Sequence, residues 1–360
     1  MRIFIILSIL TLFVSCSKEQ PKKQKDEFTV LMGANKNIWK YVETNEDMNN
    51  IQYFKSLYDK NKDLQYLPQN ELKIPKVIHI VWLGPNPFPK ESIENVRSWV
   101  HHHPDWKFKF WSDRKRALPH PKLELTLVSE FNFLELKDQF NESDNYAEKA
   151  DILRYEILYQ QGGLYIDHDV KCYKAFSPFH SHFDLYFGIE PPHQPVLSSS
   201  ISACNNVIGA KPHHPVLKSC ISLVKERWNE VGEAYPGIDK ESIIYRIANR
   251  TFSPFDESVK LVGNRDGNKD IAFPAAYFNQ IENDFALYAH HYYASTWFED
   301  ETKFEKNVRR RLISITRKNN QILLINAVIL SANLVLFGSL FVQFRKLKRS
   351  NGYYSIKRIK

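Results

Sequence analysis

The chain has 360 residues, 43% hydrophobic and 25% charged, a composition that excludes a disordered chain and fits a folded globular protein. Its net charge of +8 is lopsided, because residues 301–360 carry 14 Lys/Arg against only Glu301 and Glu305. The first 300 residues are therefore net acidic, and a nucleic-acid-binding globular face is not expected. The cysteines, Cys16, Cys172, Cys204 and Cys220, lack metal-type spacing and are too few for a disulfide framework, so the last three are expected to be buried small hydrophobes.

Residues 1–16 hold one basic residue and then about a dozen apolar ones, a length suited to a signal peptide and short for a membrane span. Ser15-Cys16 resembles a lipoprotein processing site, although Phe13 stands where Leu is expected, and a leader and an uncleaved anchor both remain open. A polar linker closes the segment 1–27. Residues 28–72 read as a helical preface, with Trp39, Val42, Ile51, Phe54 and Leu57 on its apolar face. Residues 74–84, IPKVIHIVWLG, form a nearly continuous apolar run, as a buried parallel strand requires, and Gly84-Pro85 break it. A helix follows at about 90–101, then a strand in which Trp106, Phe108 and Phe110 alternate. Strand, helix, strand is a βαβ unit and sets the class as α/β. Residues 117–140 show no clear pattern.

The richest stretch is 147–169, AEKADILRYEILYQQGGLYIDHD. Ala147, Ala150, Leu153, Ile157 and Leu158 recur at near-helical spacing, so a helix over 143–161 with one apolar face is expected, Ser143 its N-cap. Asp151 and Arg154 lie three apart, hence on neighbouring positions of its surface. Gly162 and Gly163 supply the left-handed residues that end a helix. Leu164-Tyr165-Ile166 is a short strand, and Asp167 and Asp169 follow at spacing two, so both carboxylates point to one side and His168 to the other. Two carboxylates at a strand end suit a hard divalent cation, which in turn stabilises a diphosphate leaving group.

The pattern Asp-x-x-Arg, then Gly-Gly and Tyr-x-Asp-x-Asp, resembles the DXD sugar-binding region of glycosyltransferase family 32, which includes inositol-phosphoceramide mannosyltransferases, and the core of the large glucosylating bacterial toxins. The matching residues are Asp151, Arg154, Tyr165, Asp167 and Asp169. The resemblance implies a GT-A type, Rossmann-like nucleotide-sugar transferase domain over 73–305, a UDP- or GDP-hexose donor and Mn²⁺ or Mg²⁺ as cofactor. It implies that Asp169 ligates the metal, that Asp167 binds ribose or the metal's water shell, and that Asp151, Arg154 and Tyr165 hold the donor sugar. IPKxIHxxWxG resembles the family's opening motif, where Trp82 would stack on the base; taken alone, Trp82 reads as a core residue. In 200–215, Asn206 or Asn205 is implied to face the sugar or acceptor. RTFSP, 250–254, stands where the family often has Thr-Gly-Pro, and Phe252-Ser253 put a close backbone approach there in doubt. AHHYYASTW, 289–297, resembles a late His…Ser-x-Trp element, with His291 or His290 a metal ligand and Ser295 and Trp297 on the diphosphate.

DLYFGIE, 184–190, reads as a strand, and 216–232 as an amphipathic helix with Leu217, Cys220, Ile221, Val224 and Trp228 on one face. Residues 322–344 run 23 residues without a charge, between basic clusters, and are expected to span a membrane as a helix, followed by a basic tail, 345–360. An anchor beside a catalytic domain suggests a membrane-associated acceptor, a glycolipid or lipid-linked glycan. A toxin-like enzyme modifying a protein and an inactive sugar-binding membrane protein are the other readings.

Overall fold

The computed structural model describes residues 26–68, 71–282 and 284–294. The leader, the segment 322–344, the tail, Ser295 and Trp297 lie outside them. Among the described residues no helix is long and apolar enough to cross a membrane.

The preface comprises α1 (Glu27–Leu31) and α2 (Asn45–Asn61), the latter opened by a capping box in which Thr44 and Asp47 satisfy each other's backbone N–H groups. Then come β1 (Val77–Val81), α3 (Lys90–His102), β2 (Lys107–Ser112), β3 (Leu123–Leu127) and α4 (Lys137–Glu142). The long helix α5 (Tyr146–Gln161) leads into β4 (Gly163–Ile166) and the short β5 (Val170–Cys172). They are followed by α6 (Ser177–His182), β6 (Leu185–Ile189), β7 (Ala203–Ala210), α7 (Pro215–Ala234), α8 (Lys240–Ile247), α9 (Ser253–Val262), β8 (Asp270–Phe273) and β9 (Ala289–His291).

Seven strands form one sheet in the order β3-β2-β1-β4-β7-β6-β8, and β5 pairs with β9 in a separate ribbon. The β1–β2, β2–β3, β1–β4 and β6–β8 pairs are parallel; β7 runs antiparallel to both neighbours. The expected βαβ unit is therefore present, and the class is α/β with a mostly parallel sheet. Every residue of β1, β4, β6, β7 and β8 is buried, which is why β1 reads as a nearly continuous apolar run. The uninformative 117–140 holds β3, an edge strand with little buried surface and hence little alternation. Cys172, Cys204 and Cys220 are buried and free, as expected.

Two expectations for α5 need correction. Its N-cap is Asn145, whose Oδ1 accepts from the N–H groups of Ala147 (2.8 Å) and Glu148 (3.2 Å); Ser143 instead caps the end of α4 and donates to Glu148. Nor is α5 one-sided. All of 151–158 is buried, including Asp151, Arg154 and Glu156, because the sheet covers one side and α7 and a π-helical turn at Ala248–Phe252 pack on the others. Both glycines have positive φ, +62° at Gly162 and +104° at Gly163, and a Cβ on Gly163 would fall 2.5 Å from Val77. The chain can leave α5 and enter β4 against β1 only without side chains there.

Chain order reverses at β1: β2 and β3 lie to one side, and the chain then returns to place β4 on the other. The carboxyl ends of β1, β4 and β6 share one sheet edge with the amino end of β7, the place where open α/β sheets bind ligands.

Candidate active site

A cavity of about 190 Å³ opens at that edge. Trp82 follows β1, Asp167 and Asp169 follow β4, Asn205 and Asn206 open β7, and all line it. On its α5 side Arg154 is the hub. Its Nη2 lies 2.7 Å from Asp151 Oδ1 and 3.1 Å from Asp167 Oδ1, its Nη1 donates to the Asn205 carbonyl at 2.6 Å, and its guanidinium stacks 4.2 Å above the Tyr165 ring. The Tyr165 hydroxyl donates to Asp167 Oδ1 at 2.8 Å. One buried cation thus holds both carboxylates in place, and its Nε is buried without a partner among the described residues.

Asp151 is held further by the Thr251 hydroxyl (2.6 Å) and the Asn205 amide (3.2 Å). Burial pushes its carboxyl up to about 6 against the pull of Arg154 and Thr251. Burial opposes charge on Arg154 too, but Asp151 and Asp167 more than offset it and hold its pKa above the usual value. Thr251 is the unforeseen member. In RTFSP, Arg250-Thr251-Phe252 end the π-helical turn and Ser253-Pro254 open α9; the threonine reaches Asp151, while Phe252 lines the cavity.

The opposite side is assembled by β9. Its pairing with β5 sets His291 opposite Val170, one residue from Asp169. Asp167, Asp169 and His291 then offer ligand atoms all within 4.8 Å of one another, with His291 Nε2 3.3 Å from Asp169 Oδ1 and 4.0 Å from Asp167 Oδ2. Burial alone would raise the Asp169 pKa, yet the hydrogen bond and charge of His291 hold it well below the usual carboxylate range. Burial would likewise lower His291, and Asp169 raises it instead. The Ala294 N–H donates to Asp169 Oδ2 at 2.7 Å and the Tyr292 N–H to the Asp169 carbonyl at 3.0 Å, tying the segment after β9 to the carboxylate turn. His290 faces away, its Nδ1 accepting from the Gln280 N–H.

Asp167-His168-Asp169 forms a turn, not extended chain, and His168 meets Ser92, Trp82 and Phe88 while lining the cavity together with both carboxylates. Asn206 and Asn205 divide the work. The Asn206 amide lies 2.7 Å from His291 Nδ1, and Asn205 joins Asp151 to the Tyr155 hydroxyl. Trp82 lines the cavity but is only 5% exposed, its indole N–H given to the Asn86 carbonyl and its ring edge-on to Phe88 and His168. Sequence reasoning missed Thr251 and Glu190, which follows β6 and lines the cavity.

The donor set fits a divalent cation: two carboxylates and one imidazole converge from a turn and a paired strand, and cavity space lies beside them.

Residues 89–185 match the family model described as the glycosyltransferase sugar-binding region containing DXD motif. Inositol phosphoceramide mannosyltransferase 3 of Schizosaccharomyces pombe is 31% identical over 139 residues, 38% of this chain and 33% of that protein. Subversion of eukaryotic traffic protein A of Legionella pneumophila is 30% identical over 159 residues, 39% of this chain and 24% of that protein. The aligned segments thus span about a third or less of these relatives' own length. Among solved structures, the PaToxG glycosyltransferase superposes with a TM-score of 0.40 at 16% identity, over 61% of this chain and 79% of that one.

Proposed function

We propose that this chain, which carries the sugar-binding DXD region of a glycosyltransferase, is a metal-dependent hexosyltransferase with a GT-A type catalytic domain. It moves a hexose from a UDP- or GDP-sugar to a hydroxyl of a membrane-associated glycolipid or lipid-linked glycan. The observation that carries the reading is the convergence of Asp167, Asp169 and His291 beside the Asp151–Arg154–Tyr165 cluster, in a cavity at the carboxyl ends of parallel strands.

Asp167, Asp169 and His291 would hold the cation, and the mixed oxygen–nitrogen set suits Mn²⁺ better than Mg²⁺. Bound there, the cation supplies charge neutralisation for the departing diphosphate. Asn206 orients His291: its side-chain amide nitrogen lies 2.7 Å from Nδ1 and fixes the ring with Nε2 toward the carboxylates. Asp151 and Arg154 would take the sugar hydroxyls, Tyr165 would fix Arg154 from below, and the edge of Trp82 would meet the base. Ser295 and Trp297, just beyond the described residues, are proposed as diphosphate contacts. In the transfer the acceptor oxygen bonds to the anomeric carbon, the bond to the phosphate oxygen breaks with its electron pair leaving on the diphosphate, and the departing diphosphate takes up the hydroxyl proton. Preorganised charge around that leaving group is the main source of acceleration. Retention at the anomeric carbon is proposed from the family resemblance. The apolar segment 322–344 and the names of the mannosyltransferase relatives support the membrane-bound acceptor and make GDP-mannose the first donor to try.

The test is donor hydrolysis by the full chain with GDP-mannose, UDP-glucose, UDP-galactose and UDP-GlcNAc, with Mn²⁺ and with chelator. Chelator-sensitive turnover of one donor is expected. Turnover of none by a folded sample that also transfers to no lipid extract would sink the reading.

A further inference from the structure

A second cavity, of about 270 Å³, adjoins the first and shares Glu190, Asn205 and Phe252 with it. Its far walls are the loop 191–202 and the face of α8 that carries Ile244. Val196, Leu197, Ile244 and Phe252 give it apolar surface; Glu190, Asn205 and His193 give it hydrogen-bonding groups. Glu190 stands at the junction. It lies at the carboxyl end of β6, on the same sheet edge as Asp167, with its backbone N–H bound to the Ser202 carbonyl. Its carboxylate accepts from the Cys204 thiol at 3.3 Å and lies 3.7 Å from the His193 ring.

The loop wall is anchored from outside the sheet. Asp47 Oδ1, on α2, accepts from the Ser199 hydroxyl (2.6 Å) and the Ser200 N–H (2.8 Å), and Asn50 donates to the Ile201 carbonyl (2.9 Å). The preface therefore does more than cover the sheet: it fixes the shape of this cavity.

Resting on the hexosyltransferase reading, we propose that this second cavity is the acceptor subsite and takes the terminal sugar or polyol ring of a carbohydrate acceptor, with Glu190 accepting the hydrogen bond of the hydroxyl that receives the hexose. A sugar ring has an apolar C–H face and a rim of hydroxyls, which matches a wall of Val196, Ile244 and Phe252 opposed by Glu190 and Asn205. The cavity has room for one such ring beside the donor. A serine or threonine side chain would leave most of it unfilled.

The full chain, in detergent, is assayed with its active nucleotide sugar and Mn²⁺ against octyl glucoside, octyl mannoside and a Ser/Thr-rich peptide, following free sugar and glycosylated product together. Val196→Trp from the loop and Ile244→Trp from α8 fill the cavity from two elements. Each is expected to raise the glycoside KM at least about tenfold and lower the ratio of transfer to hydrolysis similarly. Glu190→Gln is expected to lower the kcat of transfer more than that of hydrolysis. An unchanged ratio in both folded tryptophan variants overturns the proposal. So does transfer to the peptide in preference to either glycoside, or donor hydrolysis without transfer to any glycoside. A chain that hydrolyses no donor fails at the hexosyltransferase reading instead, and takes the subsite with it.

Discussion

The two sides of the active site are built differently. The α5–β4 side comes from 19 consecutive positions, 151–169, in which a helix, two glycines, a strand and a turn set Asp151, Tyr165 and Asp167 around the Arg154 guanidinium and bring Asp169 in beside them. The other side gathers Glu190, Asn205, Asn206, Thr251 and His291 from β6, β7, a π-helical turn and β9. The first is held by a buried ion network and the second by strand pairing and single hydrogen bonds. Damage to the first should therefore reach the fold as well as the chemistry, while damage to the second should reach the chemistry alone.

The sharpest way to break that contrast is at Asp169, where the two sides meet. Asp169→Asn is expected to lower transfer about 10³-fold at saturating donor and Mn²⁺. Activity within tenfold of the parent would remove Asp169 from the metal site.

On the consecutive side, Arg154→Met leaves Asp151 buried with its ion-pair partner gone. Loss of one partner of a buried pair is expected to cost about 3–5 kcal/mol in urea unfolding. Asp151→Asn added to Arg154→Met should recover part of that loss. A double variant no more stable than Arg154→Met would mean that the pair is not the scaffold of this side.

On the assembled side, Asn206→Ala should weaken Mn²⁺ activation about 10–100-fold, with excess Mn²⁺ restoring turnover and the urea midpoint near that of the parent. A large midpoint shift would show that both sides are structural, and the contrast would fail.

The smallest effect is expected at Asp47, outside the carboxylate cluster, where it anchors the loop 191–202. Burial opposes its charge, but hydrogen bonds from Ser199, Thr44 and Ser200 hold its pKa well below the usual value. A depressed carboxylate adds stability that is full above its unfolded value of about 3.9 and is lost as pH falls toward the folded value. Asp47→Asn should therefore destabilise by about 2 kcal/mol at pH 7, and the gap to the parent should narrow as pH falls below 4. A gap independent of pH would assign the loss to packing alone.

Much of the consecutive side is legible in the sequence. Helix spacing, a glycine pair and alternation are local rules, and they set Asp151 beside Arg154 and both carboxylates at the strand end. The first failure there was the helix start. Ser143 and Asn145 are both good caps, and only the Ser143–Glu148 hydrogen bond and the end of α4 decide between them. The second was the single apolar face, because a helix enclosed on all sides carries buried polar residues that look like a solvated stripe.

What the sequence alone determined is the α/β class, the βαβ start and the helix, glycine pair and strand that carry the polar residues of 151–169, since each follows from local patterning. Tertiary structure decided the partners of that chemistry. His291 sits at the carboxylates and His290 does not, because β9 pairs with β5 in the register that sets His291 opposite Val170. Adjacent strand residues face opposite ways, so a slip of one residue would exchange the two histidines. Asn206 rather than Asn205 meets His291 for the same reason, and Thr251 reaches Asp151 only because the turn before α9 packs on α5. These choices rest on pairings between segments some 50 to 120 residues apart, about which local spacing carries no information.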